Sequence, residues 1–141
     1  MTSARRALRA LRAGWWTLMA IRAVRSQLAH HALAPVVVPE VPASLAASGT
    51  RAVEAVLRWR RATCLERATV LQAWHLAHGR PRDVVLGVRG SAEFGAHAWL
   101  DGASGGTGYA ELVRRPPTAL VMRRRTRRSG ISPESAPKPA R

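Results

Sequence analysis

The sequence predicts an α+β fold in which helices come first and a small antiparallel sheet follows. Over residues 4–31, apolar side chains recur every three or four positions, which is the period of one helical face. Two further helical segments follow, and Gly79 and Pro81 end the second of them. Two short apolar runs, at residues 83–88 and 94–100, are then separated by a turn, as in paired β-strands.

The helical and extended segments are expected to begin and end at recognisable signals. Ser44 or Ser48 is the predicted N-cap of the second helix, which runs to about Arg60. The third helix is predicted to begin at Thr63 and Cys64. Four glycines within residues 102–108 indicate a loop, and residues 109–113 are predicted to form a third, short strand.

These segments divide the chain into three predicted parts. Residues 1–42 form an amphipathic helix with a proline-rich connector, residues 43–113 the core, and residues 114–141 a basic, disordered tail. The apolar face of the first helix has two interpretations. It either lies on a membrane or a partner protein, or it covers this protein's own core, and the breadth of the face allows both.

Composition restricts the possible functions. The net charge is +15, and the arginines are spread along the chain, which indicates affinity for an acidic partner but no specific nucleic acid. The single cysteine excludes an internal disulfide and a cysteine-rich zinc site, and it fits a reducing cytosol. No cofactor and no metal are predicted. Uncharged runs near the start are too short to span a bilayer, so we expect a cytoplasmic protein with peripheral membrane contact at most.

Cys64 and His97 are the candidate catalytic pair. A thiol at a helix start followed by an imidazole on a later strand is the layout of papain-like and transglutaminase-like hydrolases. The helix N-terminus favours thiolate over thiol, and an imidazole within reach serves as the general base. Strand alternation places His97 on one face with Trp99 and Asp101.

A third catalytic residue would hold the imidazole in its working tautomer. Asp101 lies on the same face as His97 but roughly 13 Å along the strand, unless the chain bends there. Glu111, on the possible next strand, is the alternative. His75 and His78 lie one helical turn apart without a further ligand, which argues against a metal site.

Part of the chain resembles one known family. The similarity runs from about residue 51 to residue 112 and rests on the order and spacing of three segments, Cys64-Leu65-Glu66-Arg67-Ala68, Gly87-Val88 and Phe94-Gly95-Ala96-His97-Ala98-Trp99. These segments are similar to those of the transglutaminase-like leader peptidases of lasso-peptide biosynthesis. Such enzymes remove the leader from a ribosomally made precursor peptide.

The resemblance implies a role for each candidate residue. Cys64 corresponds to the nucleophile of the family and His97 to its base. The family's third residue is an aspartate on the strand after the histidine, but residues 105–109 contain no carboxylate here. Asp101 stands where relatives carry glutamate, and it is our choice for the third catalytic role, with Glu111 as the alternative.

The resemblance also implies partners. Many family members are split proteins, with a separate small domain that grips the leader. The expected partners are therefore a precursor peptide as substrate, a separate leader-binding protein, and a lasso cyclase that acts afterwards. Two other functions stay open from the residues themselves, a catalytically silent peptide-binding module of the same fold and a basic nucleic-acid-binding protein.

Overall fold

The computed structural model describes residues 3–30, 36–45, 47–90 and 94–117. The helices are α1 (Ser3–His30), α2 (Thr50–Trp59) and α3 (Cys64–Ala77), and a 3₁₀ turn (Ala47–Gly49) precedes α2. The strands are β1 (Val84–Arg89), β2 (Gly95–Leu100) and β3 (Ala110–Arg115). The predicted α+β class and the N-terminal helix are confirmed. The predicted tail lies outside the described residues from residue 118 onward.

The inner face of α1 covers the core of this protein. Trp16, Ala20 and Val24 are buried on this face, one or two turns apart, and they pack with residues of α2 and α3. Buried Thr17 donates its hydroxyl hydrogen to the Ala13 carbonyl, so the polar atom on this face is satisfied. Coverage of the protein's own core, one of the two interpretations of this helix, is therefore confirmed.

The start of α2 differs from the prediction that a serine caps it. Gly49 is the N-cap residue, and no side chain makes a capping hydrogen bond there. A Cβ atom at Gly49 would lie 3.1 Å from Ala13 and 3.2 Å from the ring of Trp74. Glycine therefore fits the close approach of α1 and α3 at this point, where a larger residue would require its neighbours to shift by a few tenths of an ångström.

Helix α3 begins and ends as its sequence signals predict. Thr63 is the N-cap, and its side chain accepts a hydrogen bond from the N–H of Glu66. The Glu66 carboxylate in turn accepts a bond from the N–H of Thr63, which completes a capping box. At the other end, Gly79 has a φ of 70°, the left-handed conformation that favours glycine after a helix.

The sheet has the strand order β2-β1-β3, and both pairs are antiparallel. Its two faces have different surroundings. Ala98 and Leu100 of β2 belong to the core cluster that the helices form, and α3 packs against β2. Strand alternation places His97 and Trp99 on the opposite face. Gln72 on α3 ties the layers together by donating to the carbonyl groups of Arg82 and Arg115.

Candidate active site

Cys64 occupies the first position of α3, where the sequence placed it. Its side chain is half-buried and packs against the core cluster. The capping box satisfies the N–H of Glu66, and the N–H of Arg67 bonds to the Thr63 carbonyl. Within the described part of the chain, no residue accepts a hydrogen bond from the first two N–H groups of α3, at Cys64 and Leu65. They are therefore available to a carbonyl oxygen that reacts with the cysteine.

Glu66 and Arg25 fix the start of α3 to α1, a feature that our interpretation of the sequence missed. Arg25 donates two hydrogen bonds to the Glu66 carboxylate, of 2.8 Å from Nε and 2.9 Å from Nη2. Glu66 is 5% exposed, and the hydrogen bond from Arg25 is the main cause that lowers its pKa. The pattern Thr-x-x-Glu at residues 63–66 is a capping-box signature that could have revealed the role of Glu66.

His97 lies in an aromatic group on the outer face of the sheet. Its ring is stacked with the ring of Trp99, with 6.0 Å between centroids, and lies 5.1 Å from the ring of Tyr109. The guanidinium of Arg89 contacts the other aromatic member of this group, at 5.4 Å from the Tyr109 centroid. The shared face of His97 and Trp99 is thus confirmed.

Two glycines bring the loop after β2 against this aromatic group. A Cβ atom at Gly105 would lie 3.6 Å from Nε2 of His97. A Cβ atom at Gly106 would lie 2.6 Å from the ring of Trp99, a distance that no side chain could keep. Gly106 therefore lets the backbone of the loop approach the tryptophan ring, whereas the distances at Gly105 are ordinary van der Waals contacts.

The two candidate carboxylates are engaged elsewhere. Arg114 donates a hydrogen bond of 2.7 Å to Asp101 and two bonds, of 2.9 and 2.8 Å, to Glu111. These contacts raise the pKa of Arg114, and the hydrogen bond from Arg114 lowers that of Glu111. Asp101 also lines an open cleft of about 590 Å³ with Asp83. In this conformation both carboxylates are paired with Arg114, and neither accepts a hydrogen bond from His97.

Cys64 and His97 lie on elements that touch, but they are not joined. Helix α3 packs against β2, so the strand that carries His97 borders the helix that carries Cys64. Cys64 packs against the core cluster, which meets the Ala98 face of β2, whereas His97 lies on the opposite face. Among the described residues no hydrogen bond connects the sulfur with the imidazole. The predicted catalytic roles of both residues stay predictions.

His75 lies in the last turn of α3, and His78 is the residue that caps the helix. The ring nitrogens of His78 lie 2.7 Å from the Trp74 carbonyl oxygen and 2.9 Å from that of Leu45. Burial is the main cause that lowers the pKa of His75. Within residues 3–30, 36–45, 47–90 and 94–117, no group of three or more histidine, cysteine and acidic side chains could hold a metal ion.

Comparison with known protein families identifies the superfamily of this chain. The family model described as the transglutaminase-like superfamily matches residues 4–115. The chain belongs to the transglutaminase-like superfamily. The match includes α1 as well as the Cys64 helix and the sheet, so the N-terminal helix is part of the matched region. No curated protein and no solved structure matches the chain.

Membership of this superfamily is compatible with cysteine hydrolase chemistry and leaves the substrate open. A separate structural finding concerns membranes. In the part of the chain that the structure describes, every helix is too short or too polar to cross a bilayer.

Proposed function

We propose that this protein is a cysteine peptidase that removes the leader from a ribosomally synthesised lasso-peptide precursor. The observation that carries the proposal is the position of Cys64 at the capped start of α3, a helix that packs against the strand that carries His97. The superfamily match over residues 4–115 supports it. The lasso-peptide substrate rests on the resemblance of residues 51–112 to leader peptidases.

The chemistry follows from the two residues and the helix start. The Cys64 sulfur attacks the carbonyl carbon at the leader–core junction and forms a thioester, while His97 protonates the departing amine of the core. Water then hydrolyses the thioester and releases the leader. The N–H groups of Cys64 and Leu65 stabilise the negative charge that develops on the carbonyl oxygen, and the positive end of the α3 dipole favours the same charge.

The isolated chain is expected to be a slow enzyme. Cys64 and His97 are not hydrogen-bonded in this conformation, so the pair has to be brought together before reaction. A separate leader-binding protein would supply both the grip on the precursor and the binding energy for that rearrangement. A lasso cyclase then acts on the freed core, and both partners belong to the proposal.

The test is a reconstitution from purified components. Precursor peptide is incubated with the full chain, with and without the leader-binding protein, and release of core peptide is followed by mass spectrometry. We expect slow cleavage by the chain alone and marked acceleration by the partner. Cys64→Ala and His97→Ala should each abolish cleavage, because the two residues act as a unit.

Leu112→Ala is a suitable control, since Leu112 is an exposed apolar residue of β3 and lies outside the proposed pair. Its activity should be unchanged, and thermal melting should show that all variants are folded. Normal cleavage by Cys64→Ala would refute the nucleophile. Fast, leader-specific cleavage by the isolated chain would refute the role of the partner.

A catalytically silent peptide-binding module is the second candidate. Two observations favour it, the missing Cys64–His97 hydrogen bond and the pairing of Asp101 and Glu111 with Arg114. Such a module would bind the precursor equally well as wild type and as Cys64→Ala, and it would form no thioester. A covalent adduct between Cys64 and the leader, trapped by acid quench in the reconstituted mixture, would exclude it.

A further inference from the structure

Helix α1 carries a second apolar stripe on the side away from the core. Its members are spaced three or four residues apart and are strongly exposed: Leu8 (50%), Leu11 (71%), Trp15 (68%) and Met19 (46%). With 100° of rotation per residue, this stripe is centred nearly opposite to the face that contains Trp16, Ala20 and Val24. Coverage of the protein's own core therefore does not explain these four side chains.

The first three turns of α1 extend beyond the body of the protein. Every residue from 3 to 12 is exposed, and the first buried residue of the helix is Ala13. At 1.5 Å per residue, this arm of α1 (residues 3–12) is about 15 Å long. Because the arm buries no residue, it gains little stability from packing within the chain.

The charges of the arm make it less stable still. It contains Arg5, Arg6, Arg9 and Arg12, and α1 has no acidic residue at all. Arginines three and four positions apart repel each other, and positive charge is unfavourable at a helix N-terminus. A negatively charged surface would reverse the sign of both effects.

We propose that the outer face of α1 binds the surface of an anionic lipid bilayer, with the helix parallel to the membrane plane. Leu8, Leu11, Trp15 and Met19 enter the boundary between headgroups and acyl chains. At 100° of rotation per residue, Arg5, Arg9 and Arg12 lie along one side of this stripe, from where their long side chains reach the lipid phosphates, whereas Arg6 lies on the opposite side of the helix. Trp15 is suited to this depth because tryptophan concentrates at membrane interfaces.

The apolar side chains beside the arginines favour anionic lipid over nucleic acid as the binding partner of α1. A nucleic-acid backbone would attract the arginines but would leave the four apolar side chains without a partner.

The small area of the stripe argues against a protein as its binding partner. Four partly exposed side chains offer roughly 400 Å², about half of what each side of a standard protein interface buries. A few apolar side chains with several arginines are enough for reversible binding to anionic lipid.

The experiment is vesicle flotation with the full chain. The probes are vesicles of phosphatidylcholine alone and vesicles with equal amounts of phosphatidylcholine and phosphatidylserine. We expect binding to the anionic vesicles only, with reduced binding at high salt. Arg5→Gln with Arg9→Gln should weaken binding by about 25-fold, at about fivefold for each arginine removed.

The apolar part of the proposal has a matched control. Trp15→Ser should weaken binding to anionic vesicles by about tenfold or more. Trp59→Ser should leave it unchanged, because Trp59 is 69% exposed, as Trp15 is 68% exposed, but lies on α2. Both positions are on the surface, so each variant should fold, and circular dichroism checks this. Cleavage in a lipid-free assay should be equal for both variants, which separates this proposal from the catalytic one.

Three outcomes would overturn the proposal. The first is no binding to anionic vesicles. The second is vesicle binding that Trp15→Ser and Trp59→Ser weaken equally. The third is that the outer face of α1 binds a nucleic acid or a protein instead. Binding to polyuridylate that is tighter than to vesicles and depends on the arginines but not on Trp15 would show a nucleic acid. Trp15-dependent binding to the leader-binding protein, without affinity for lipid, would show a protein.

Discussion

Replacement of Glu66 should uncouple the start of α3 from α1. The Glu66 carboxylate accepts three hydrogen bonds, two from Arg25 and one from the N–H of Thr63. Glu66→Ala removes all three, whereas Glu66→Gln keeps the capping bond to Thr63, because glutamine also serves at this position of a capping box. The two variants therefore separate the cap from the ion pair.

The structure allows the two contributions to be sized. Loss of the capping bond should cost about 1 kcal/mol of unfolding free energy. Breaking a buried ion pair costs about 3–5 kcal/mol, but Arg25 is 47% exposed and can be solvated again, so about 1–2 kcal/mol is the better expectation. Glu66→Ala should thus lose about 2–3 kcal/mol and Glu66→Gln about 1–2 kcal/mol.

Urea denaturation at several pH values measures the contributions of the capping bond and of the ion pair to the unfolding free energy. The pKa of Glu66 is lowered in the folded protein from its ordinary value of 4.5, mainly by the hydrogen bond from Arg25. Stabilisation by this group is therefore fully present above pH 4.5 and is lost as the pH falls through the folded-state value. The free energies of wild type and Glu66→Gln should converge in acid.

Arg25→Gln provides the check on this reasoning. If the ion pair carries the effect, Arg25→Gln and Glu66→Gln should destabilise the protein by similar amounts, and the double variant by no more than either. Additive losses in the double variant, or a constant gap between wild type and Glu66→Gln from pH 7 to acid, would refute it.

The remaining predictions concern the sheet. Gly87→Ala should lower the unfolding free energy by about 1–3 kcal/mol, because its Cβ would lie 2.7 Å from the Ala110 carbonyl oxygen. Gly90→Ala is the control and should be nearly neutral, because nothing lies within 4 Å of its Cβ. Equal effects of the two substitutions in urea denaturation would contradict this. Gln72→Leu should cost about 1–2 kcal/mol because two backbone carbonyl groups lose their donor; thermal melting equal to wild type would show that water replaces the amide.

The elements of the fold could be predicted from local signals. Thr63 and Gly79 bound α3 because N-cap and left-handed C-terminal positions have strong residue preferences. The start of α2 could not be predicted in this way. Ala13 and Trp74, residues far away in sequence, lie close to Gly49, and a local serine signal contains no information about that packing.

The candidate site was only partly predictable for a similar reason. Strand alternation placed His97 beside Trp99, which the stacked rings confirm. Alternation cannot state which face of a sheet the helices cover, and here the core cluster, against which Cys64 packs, meets the face that His97 does not occupy. Arg114 was not considered, although it is hydrogen-bonded to both Asp101 and Glu111.

The place of α3 between two layers has a consequence for how this sequence can change over time. Its residues contact α1 on one side and β2 on the other, so a substitution on either side shifts a helix that both neighbours have to fit. The effect of one substitution in α3 should then depend on which residues already occupy the adjoining layers. By contrast, every residue of the arm of α1 is exposed, and substitutions there should combine independently. Related sequences are therefore expected to change one position at a time along the arm, within the limits that lipid binding sets, and in correlated groups around α3.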